Sequence, residues 1–303
     1  MKALLTRRIP SSVLSRLEAV HDVERYDGPS PIPEDELRRR IADKHALICL
    51  LTENVSAETL AVAPDLKIVA NIAVGYDNID VAAARGRGIV VTNTPDVLTE
   101  ATAEFTWTLI LAAARRLGEG ERLLRRGEWR GWALDFMLGT ELRGKQLGII
   151  GRGRIGRAVA AKAPAFGMKA VFARHDLSLD ELLVTSDVIS IHVPGGDSTR
   201  HLIDRKRLAR MKRSAILVNT SRGSVIDEEA LAWAMQEHLI AAAALDVYER
   251  EPNVYAPLLA MENVVLAPHL GSATTETRTA MADLAVRNTI AVLTGQAPIT
   301  PVP

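Results

Sequence analysis

Cysteine is all but missing. Cys49 is the only one in 303 residues, so no disulfide can close within the chain. It lies in the apolar run Ala46 to Leu51, which fits a buried structural thiol better than a nucleophile, and a lone thiol suits a reducing cytoplasm. Net charge is missing as well. The 37 basic and 37 acidic side chains cancel and neither sign gathers into a tail, which argues against nucleic acid or a membrane surface as a general partner. No apolar stretch reaches the roughly 18 to 20 uninterrupted residues of a membrane span. The longest candidate, Thr99 to Arg116, carries Glu100 and Glu104 and closes on two arginines. The opening MKALLTRRIP has too short an apolar patch for a signal peptide. Internal repeats, low-complexity segments and the H-x-x-x-H and C-x-x-C spacings are lacking too, so no metal site is expected.

What the chain does have is apolar material, 48% of its residues, enough for a large core and two domains. Over the first hundred residues strand-like runs (Ala3 to Leu5, Ala46 to Leu51, Lys67 to Ala70, Ile89 to Val91) alternate with helical patterns (Ser12 to Ala19, Glu34 to Ala42, Ala57 to Val62). A long helical pattern follows, Thr99 to Arg126, of a length that suits an element crossing between domains or packing on another subunit. A second series starts at Leu147. Its strands are Leu147 to Ile150, Lys169 to Ala173, Val188 to Val193, Ala215 to Asn219, Ile240 to Val247 and Val264 to Ala267. Helices near 154–166, 227–237 and 276–293 go with them. Such alternation implies the α/β class, with two doubly wound, mostly parallel sheets. Between Arg174 and Leu182 the chain is short for a full strand–helix unit, so one strand of the second set is expected to be abbreviated.

LGIIGRGRIGRAVA sets Gly151, Gly153 and Gly156 as G-x-G-x-x-G between an apolar strand and a helix. The first glycine permits a tight turn, the second lets backbone approach a pyrophosphate, and the third lets helix and strand pack closely. The helix N-terminus, through Arg154 and Ile155, then offers free N–H groups to the phosphates. About 150 residues precede this loop, so a complete domain comes before the dinucleotide-binding one.

Three polar groups follow strands of the second series: Arg222 in NTSRGSVID, Glu251 in LDVYEREP and His269 in VVLAPHLGS. Ligands of an open parallel sheet bind outside the carboxyl ends of its strands, so all three are expected to face one crevice. Singly, each has a plainer reading. Arg222 has Asp227 as a nearby ion-pair partner, His269 is a loop histidine after a proline, and Glu251 stands in a charged cluster. Together they match hydride transfer to a 2-keto acid. An arginine grips carboxylate and carbonyl oxygen, a histidine donates the proton, and a carboxylate behind it fixes the tautomer.

Six ordered segments carry a family resemblance: NIAVGYDNID (71–80), VTNTPDVLTEATAE (91–104), GKQLGIIGRGRIGRAVA (144–160), LVNTSRGSVIDEEAL (217–231), ALDVYEREP (244–252) and NVVLAPHLGSAT (263–274). In them the chain resembles the D-isomer-specific 2-hydroxyacid dehydrogenases, and most of all the glyoxylate and hydroxypyruvate reductases. The resemblance implies a Rossmann cofactor domain, 98–282, inserted into a flavodoxin-like substrate domain made of 1–97 and 283–303. It also implies a homodimer in which the helix after Pro95 embraces the partner. Arg222, Glu251 and His269 fall on the catalytic positions. Val74 and Gly75 fall on a loop whose amides hold the substrate carboxylate, with Leu50 and Leu51 beside it. Asp246 falls on the acid that meets the nicotinamide carboxamide, and Thr220 to Arg222 and His269 to Gly271 on further cofactor contacts. Ile72, where tyrosine is common, and WRGWALDFMLGT (129–140) depart from the pattern and bear on the substrate's side-chain pocket.

The implied activity is NAD(P)H-dependent reduction of small 2-keto acids. The alternatives are a dehydrogenase for a bulkier 2-hydroxy acid and a non-catalytic NAD(H)-binding protein like the corepressors that share the fold. Where an NAD-binding unit carries an acid about twenty residues past the glycine loop, this chain has Arg174, eighteen residues after Gly156, then His175 and only then Asp176. NADP is therefore the expected cofactor, with NAD also usable.

Overall fold

The computed structural model describes all 303 residues. They divide into two compact units, Met1–Leu98 with Thr274–Pro303, and Thr99–Ala273. The chain returns to the first unit at Thr274 rather than at the expected 283. A break at 283 would cut one continuous helix, Thr275–Leu293, whose first turn Thr274 caps by accepting the Thr277 N–H at 3.1 Å.

The first unit runs β1 (Lys2–Leu5), α1 (Ser11–Glu18), β2 (Asp22–Arg25), α2 (Glu34–Ile41), β3 (Ala46–Cys49), α3 (Ala57–Ala61), β4 (Ile68–Asn71), α4 (Val81–Gly86) and β5 (Val90–Thr92). Its parallel sheet has the order β2-β1-β3-β4-β5, which is the flavodoxin-like order. β3 and β4 are buried along their whole length, and so, but for Asn71 at the end of β4, they read as apolar runs instead of alternating ones. Two elements lie outside the runs expected from the sequence. β2 is Asp-Val-Glu-Arg, an edge strand whose charges guard an open row of backbone groups. α4 is a short run capped by Asp80, which accepts from the Ala83 N–H at 2.8 Å.

The second unit runs α5 (Thr99–Ala114), α6 (Leu117–Arg125), β6 (Gln146–Ile150), α7 (Arg154–Lys162), β7 (Lys169–Phe172), α8 (Leu179–Thr185), β8 (Val188–Ile191), α9 (Arg205–Leu208), β9 (Ile216–Asn219), α10 (Glu228–Gln236), β10 (Ala242–Leu245), α11 (Ala256–Leu259) and β11 (Val264–Leu266). The chain then returns to the first unit as α12 (Thr275–Leu293). All six strands are parallel, in the order β11-β10-β9-β8-β6-β7. β7 is an edge with no strand beyond it, in keeping with the short stretch after Arg174. From β6 the chain goes out to β7 and then crosses back to β8, so the winding reverses beside β6. That reversal is the place where an open α/β sheet binds its ligand.

The single helix expected over Thr99 to Arg126 is two helices. Arg116 adopts φ 51°, a left-handed conformation that ends α5, and α6 starts directly after it. α5 packs on α7, β9 and β10 and is buried over much of its length, including Trp107. The Trp107 ring stacks on Phe166 at 4.3 Å and its N–H donates to the Val159 carbonyl at 3.0 Å. A stacked pair of this kind adds about 0.5–1.5 kcal/mol beyond its buried area. After α6 the 129–140 segment runs without helix or strand, then rejoins α5 where the Thr140 N–H takes the Ala114 carbonyl at 2.7 Å.

Candidate active site

Arg222, Glu251 and His269 come from the loops that leave β9, β10 and β11 at their carboxyl ends. Asn219, the last residue of β9, shapes the first loop. Its Oδ1 accepts from the Ser221 N–H at 3.0 Å and the Ser221 hydroxyl at 2.9 Å, and its Nδ2 donates to the Arg222 carbonyl at 2.8 Å. The turn closes on Gly223, where a Cβ would lie 1.8 Å from the Tyr248 carbonyl carbon. No other residue fits. This contact presses the Arg222 loop against the segment that carries Glu251.

His269 Nδ1 lies 2.9 Å from Glu251 Oε2, and the other carboxylate oxygen accepts the Tyr248 N–H at 3.1 Å. Burial alone would raise the Glu251 carboxyl. The bond to and charge of His269, the Tyr248 amide and the charge of Arg222 outweigh it, and the carboxyl ends below its ordinary value. An ionised carboxylate only accepts, so His269 carries a proton on Nδ1. Both side chains are about a third exposed, at 31% each, and so remain within reach of a ligand.

Asp246 holds the histidine loop. Its backbone carbonyl accepts the His269 N–H at 2.9 Å, and its carboxylate oxygens accept the Leu270 and Gly271 N–H groups at 2.6 and 2.8 Å. Burial raises this carboxyl and the two amides offset the rise only in part. A Cβ on Gly271 would meet Asp246 Oδ2 at 3.2 Å, so the close grip needs glycine there. Thr220 is buried and shares a 2.9 Å hydrogen bond with Thr106 of α5. Its side chain is thus already partnered within the protein.

The glycine loop fits a dinucleotide. Gly151 has φ 109° and lies against the His192 carbonyl, 2.4 Å from where its Cβ would be, while a Cβ on Gly153 would meet nothing within 4 Å. Gly153 is also the N-cap of α7 and offers no side chain to its first turn. A Cβ on Gly156 would lie 2.0 Å from the Gly151 carbonyl oxygen, so helix and turn meet as closely as backbone permits. Ile155 is half-buried against the core beneath and Arg154 is exposed.

At the β7 tip, Arg174 has φ 60° and its N–H donates to the Leu177 carbonyl at 2.7 Å. Asp176 is turned back, accepting the Phe172 N–H at 2.7 Å and facing His175 Nδ1 at 3.1 Å. These two contacts, the backbone one first, hold its carboxyl below the usual value. Arg152, inside the glycine loop, contacts His175 Nε2 and lies over the Phe172 ring at 5.6 Å. Sequence reasoning passed over Arg152. A cation between two of the three glycines was the signal.

The first unit holds Leu51, Val74 and Gly75. Leu51 follows β3, and the 74–75 loop follows β4. A ring of amides sets both. Asn93 Nδ2 donates to the Val74 carbonyl at 2.7 Å and Asn71 Nδ2 to the Gly75 carbonyl at 2.9 Å. Asn78 Oδ1 accepts from Asn71 at 3.1 Å, and Asn78 Nδ2 donates to the Leu50 and Glu53 carbonyls at 3.0 and 2.9 Å. Glu53, fully buried, accepts the Leu50 N–H at 2.6 Å. Both carbonyls of the 74–75 loop are thereby drawn inward. Asn71, Asn78 and Asn93 were also passed over, although their recurrence within the two motifs was visible. Cys49 is buried, with its Sγ 3.7 Å from Asn71 Oδ1, and burial pushes the thiol up, as a structural role requires.

Comparison with known proteins gives the family. The family described as D-isomer specific 2-hydroxyacid dehydrogenase, NAD binding domain, matches residues 107–271. A glyoxylate reductase of Aeropyrum pernix is 49% identical over 98% of this chain and 94% of its own length. One from Thermococcus kodakarensis is 46% identical over 99% and 95%. Among solved structures, a Thermus thermophilus protein covers 100% of both chains with a TM-score of 0.95 and 45% identity. An NADPH-dependent glyoxylate/hydroxypyruvate reductase of Sinorhizobium meliloti, in complex with NADP and malonate, covers 99% of this chain and 96% of its own with a TM-score of 0.87 and 37% identity.

Proposed function

The chain belongs to the D-isomer specific 2-hydroxyacid dehydrogenase family, and from that premise we propose that it reduces glyoxylate and hydroxypyruvate to the corresponding 2-hydroxy acids. The observation that carries the reading is the 2.9 Å contact between His269 and an ionised Glu251 within reach of the charge of Arg222. A reduced nicotinamide supplies the hydride when bound. Glu251 holds His269 through Nδ1, and the Nε2–H donates its proton to the substrate's carbonyl oxygen. Arg222 pairs with that oxygen and the carboxylate, drawing charge from the carbon under attack. The Val74 and Gly75 amides are assigned to the substrate carboxylate, with Leu51 lining the same pocket. Gly151, Gly153, Arg154, Ile155 and Gly156 are assigned to the pyrophosphate, and Thr220, Asp246 and Gly271 to further cofactor contacts. The direct test is a panel of 2-keto acids. A tenfold higher kcat/KM for phenylpyruvate or a branched keto acid than for glyoxylate and hydroxypyruvate would overturn the substrate assignment.

NADP is the proposed preferred cofactor, with NAD as the weaker one. The support is that Asp176, the nearest acid, is folded back onto Phe172, while Arg174 is exposed at the β7 tip. Wild-type kcat/KM should be higher with NADPH than with NADH, and Arg174→Asp should shrink or invert the ratio. An unchanged ratio removes Arg174 from cofactor recognition.

The working form is proposed to be a homodimer, in a reducing cytoplasm that suits the free Cys49. α6 buries none of its residues, and the segment after it presents Trp132 and Leu134 at 81% and 82% exposure beside Trp129 and Leu138. An apolar surface of this extent marks an interaction face. Light scattering should give twice the chain mass, and Trp132→Glu with Leu134→Glu should give the monomer. A wild-type monomer at micromolar concentration refutes this assembly.

A further inference from the structure

Arg152 stands between the two places where a dinucleotide's adenosine half meets the protein. On one side are the glycines and the α7 N-terminus, which suit the pyrophosphate. On the other is the β7 tip, where the ribose hydroxyls are read. Its guanidinium lies over Phe172, 5.6 Å from the ring centroid, and one edge contacts His175 Nε2. His175 is itself held by Asp176, 3.1 Å from its Nδ1. Asp176 is anchored in turn by the Phe172 N–H. The chain of contacts runs from the β7 backbone outward and ends on a cation. A solvated surface arginine would not need such a support. Five N–H donors on one plane also leave Arg152 with donors beyond the one facing His175.

The local charges point the same way. The one carboxylate near the tip has both oxygens engaged, one by backbone and one by His175, while Arg174 follows on the same turn. A ribose carrying two free hydroxyls calls for a carboxylate turned toward it, and Asp176 is turned back onto Phe172 and His175. A ribose carrying a phosphomonoester calls for cations approaching from more than one direction. We infer that Arg152 is a specificity-determining residue that grips the adenosine 2′-phosphate from the glycine loop, opposite Arg174 at the β7 tip, with His175 as its positioning residue. This rests on the NADP reading.

The test is calorimetric binding of 2′,5′-ADP and of 5′-AMP to the full chain at fixed salt, for wild type, Arg152→Ala and Arg152→Lys, with thermal melts to confirm folding. Loss of a charge-assisted contact should weaken 2′,5′-ADP roughly 10- to 100-fold in Arg152→Ala. Binding of 5′-AMP should stay within about twofold, and lysine should restore part of the loss, since it keeps the charge without the planar fork. Equal weakening of both ligands would overturn the inference, because Arg152 would then stack on the base or brace the loop. No change in either would overturn it as well. A wild type that binds the two ligands equally would refute the NADP reading itself, and the inference with it. A wild-type preference that survives Arg152→Ala would refute the inference alone.

Discussion

His269→Ala is expected to lower kcat for keto-acid reduction by about 100- to 10,000-fold, the usual contribution of a positioned general acid. Cofactor affinity should change little, because the lost interaction belongs to the transition state. The pH profile follows from the two partners. Reduction needs the imidazolium, so its rate should fall as the medium becomes alkaline, and oxidation of the 2-hydroxy acid, which needs neutral imidazole, should rise. On the acid side the Glu251 carboxyl decides. Its value in the folded protein is depressed, so the pairing persists as pH falls through the ordinary carboxylate range and is lost only below it. Glu251→Gln should remove the ionised partner of His269 Nδ1 and lower kcat. Near-normal turnover by His269→Ala would take this residue out of the mechanism.

The second large effect is expected at Arg222. Substitution by lysine keeps the positive charge but loses the planar fork of donors that matches a carboxylate and its neighbouring carbonyl oxygen. We expect kcat/KM to fall on the order of a hundredfold or more, about 2.7 kcal/mol of transition-state stabilisation. The turn itself should survive, since Asn219 holds the backbone of residues 221 and 222 and the close approach at Gly223 is untouched. The melting temperature is therefore the control. A fully active lysine variant would reduce Arg222 to a structural residue. A loss of activity that tracked a large loss of melting temperature would do the same.

Sequence alone was sufficient for whatever depends on local chemistry. The glycine spacing specifies a turn, an open approach and a close packing within six residues. Buried parallel strands such as β3 are apolar from end to end, and β4 and β9 are apolar up to a closing asparagine, so they announce themselves. Arg222, Glu251 and His269 could be placed at strand ends because a parallel sheet puts all its carboxyl ends on one side.

Tertiary structure decided what depends on residues far apart in the chain. β2 is strand only because β1 pairs with it, and its charges hide it from any apolar count. Left-handed Arg116 splits the long helical pattern, an outcome that helix propensity and periodicity do not carry. Asp246 turned out to clamp the His269 loop through two amides that lie 24 and 25 residues away. Asn71, Asn78 and Asn93 became a scaffold for the Val74–Gly75 loop only once β4, β5 and the loops beside them were assembled. Arg152 met His175 only when β6 and β7 lay side by side. The physical reason is common to all of these. A hydrogen bond or ion pair across many residues exists only after chain entropy has been overcome by burial elsewhere, so its partners leave no local trace.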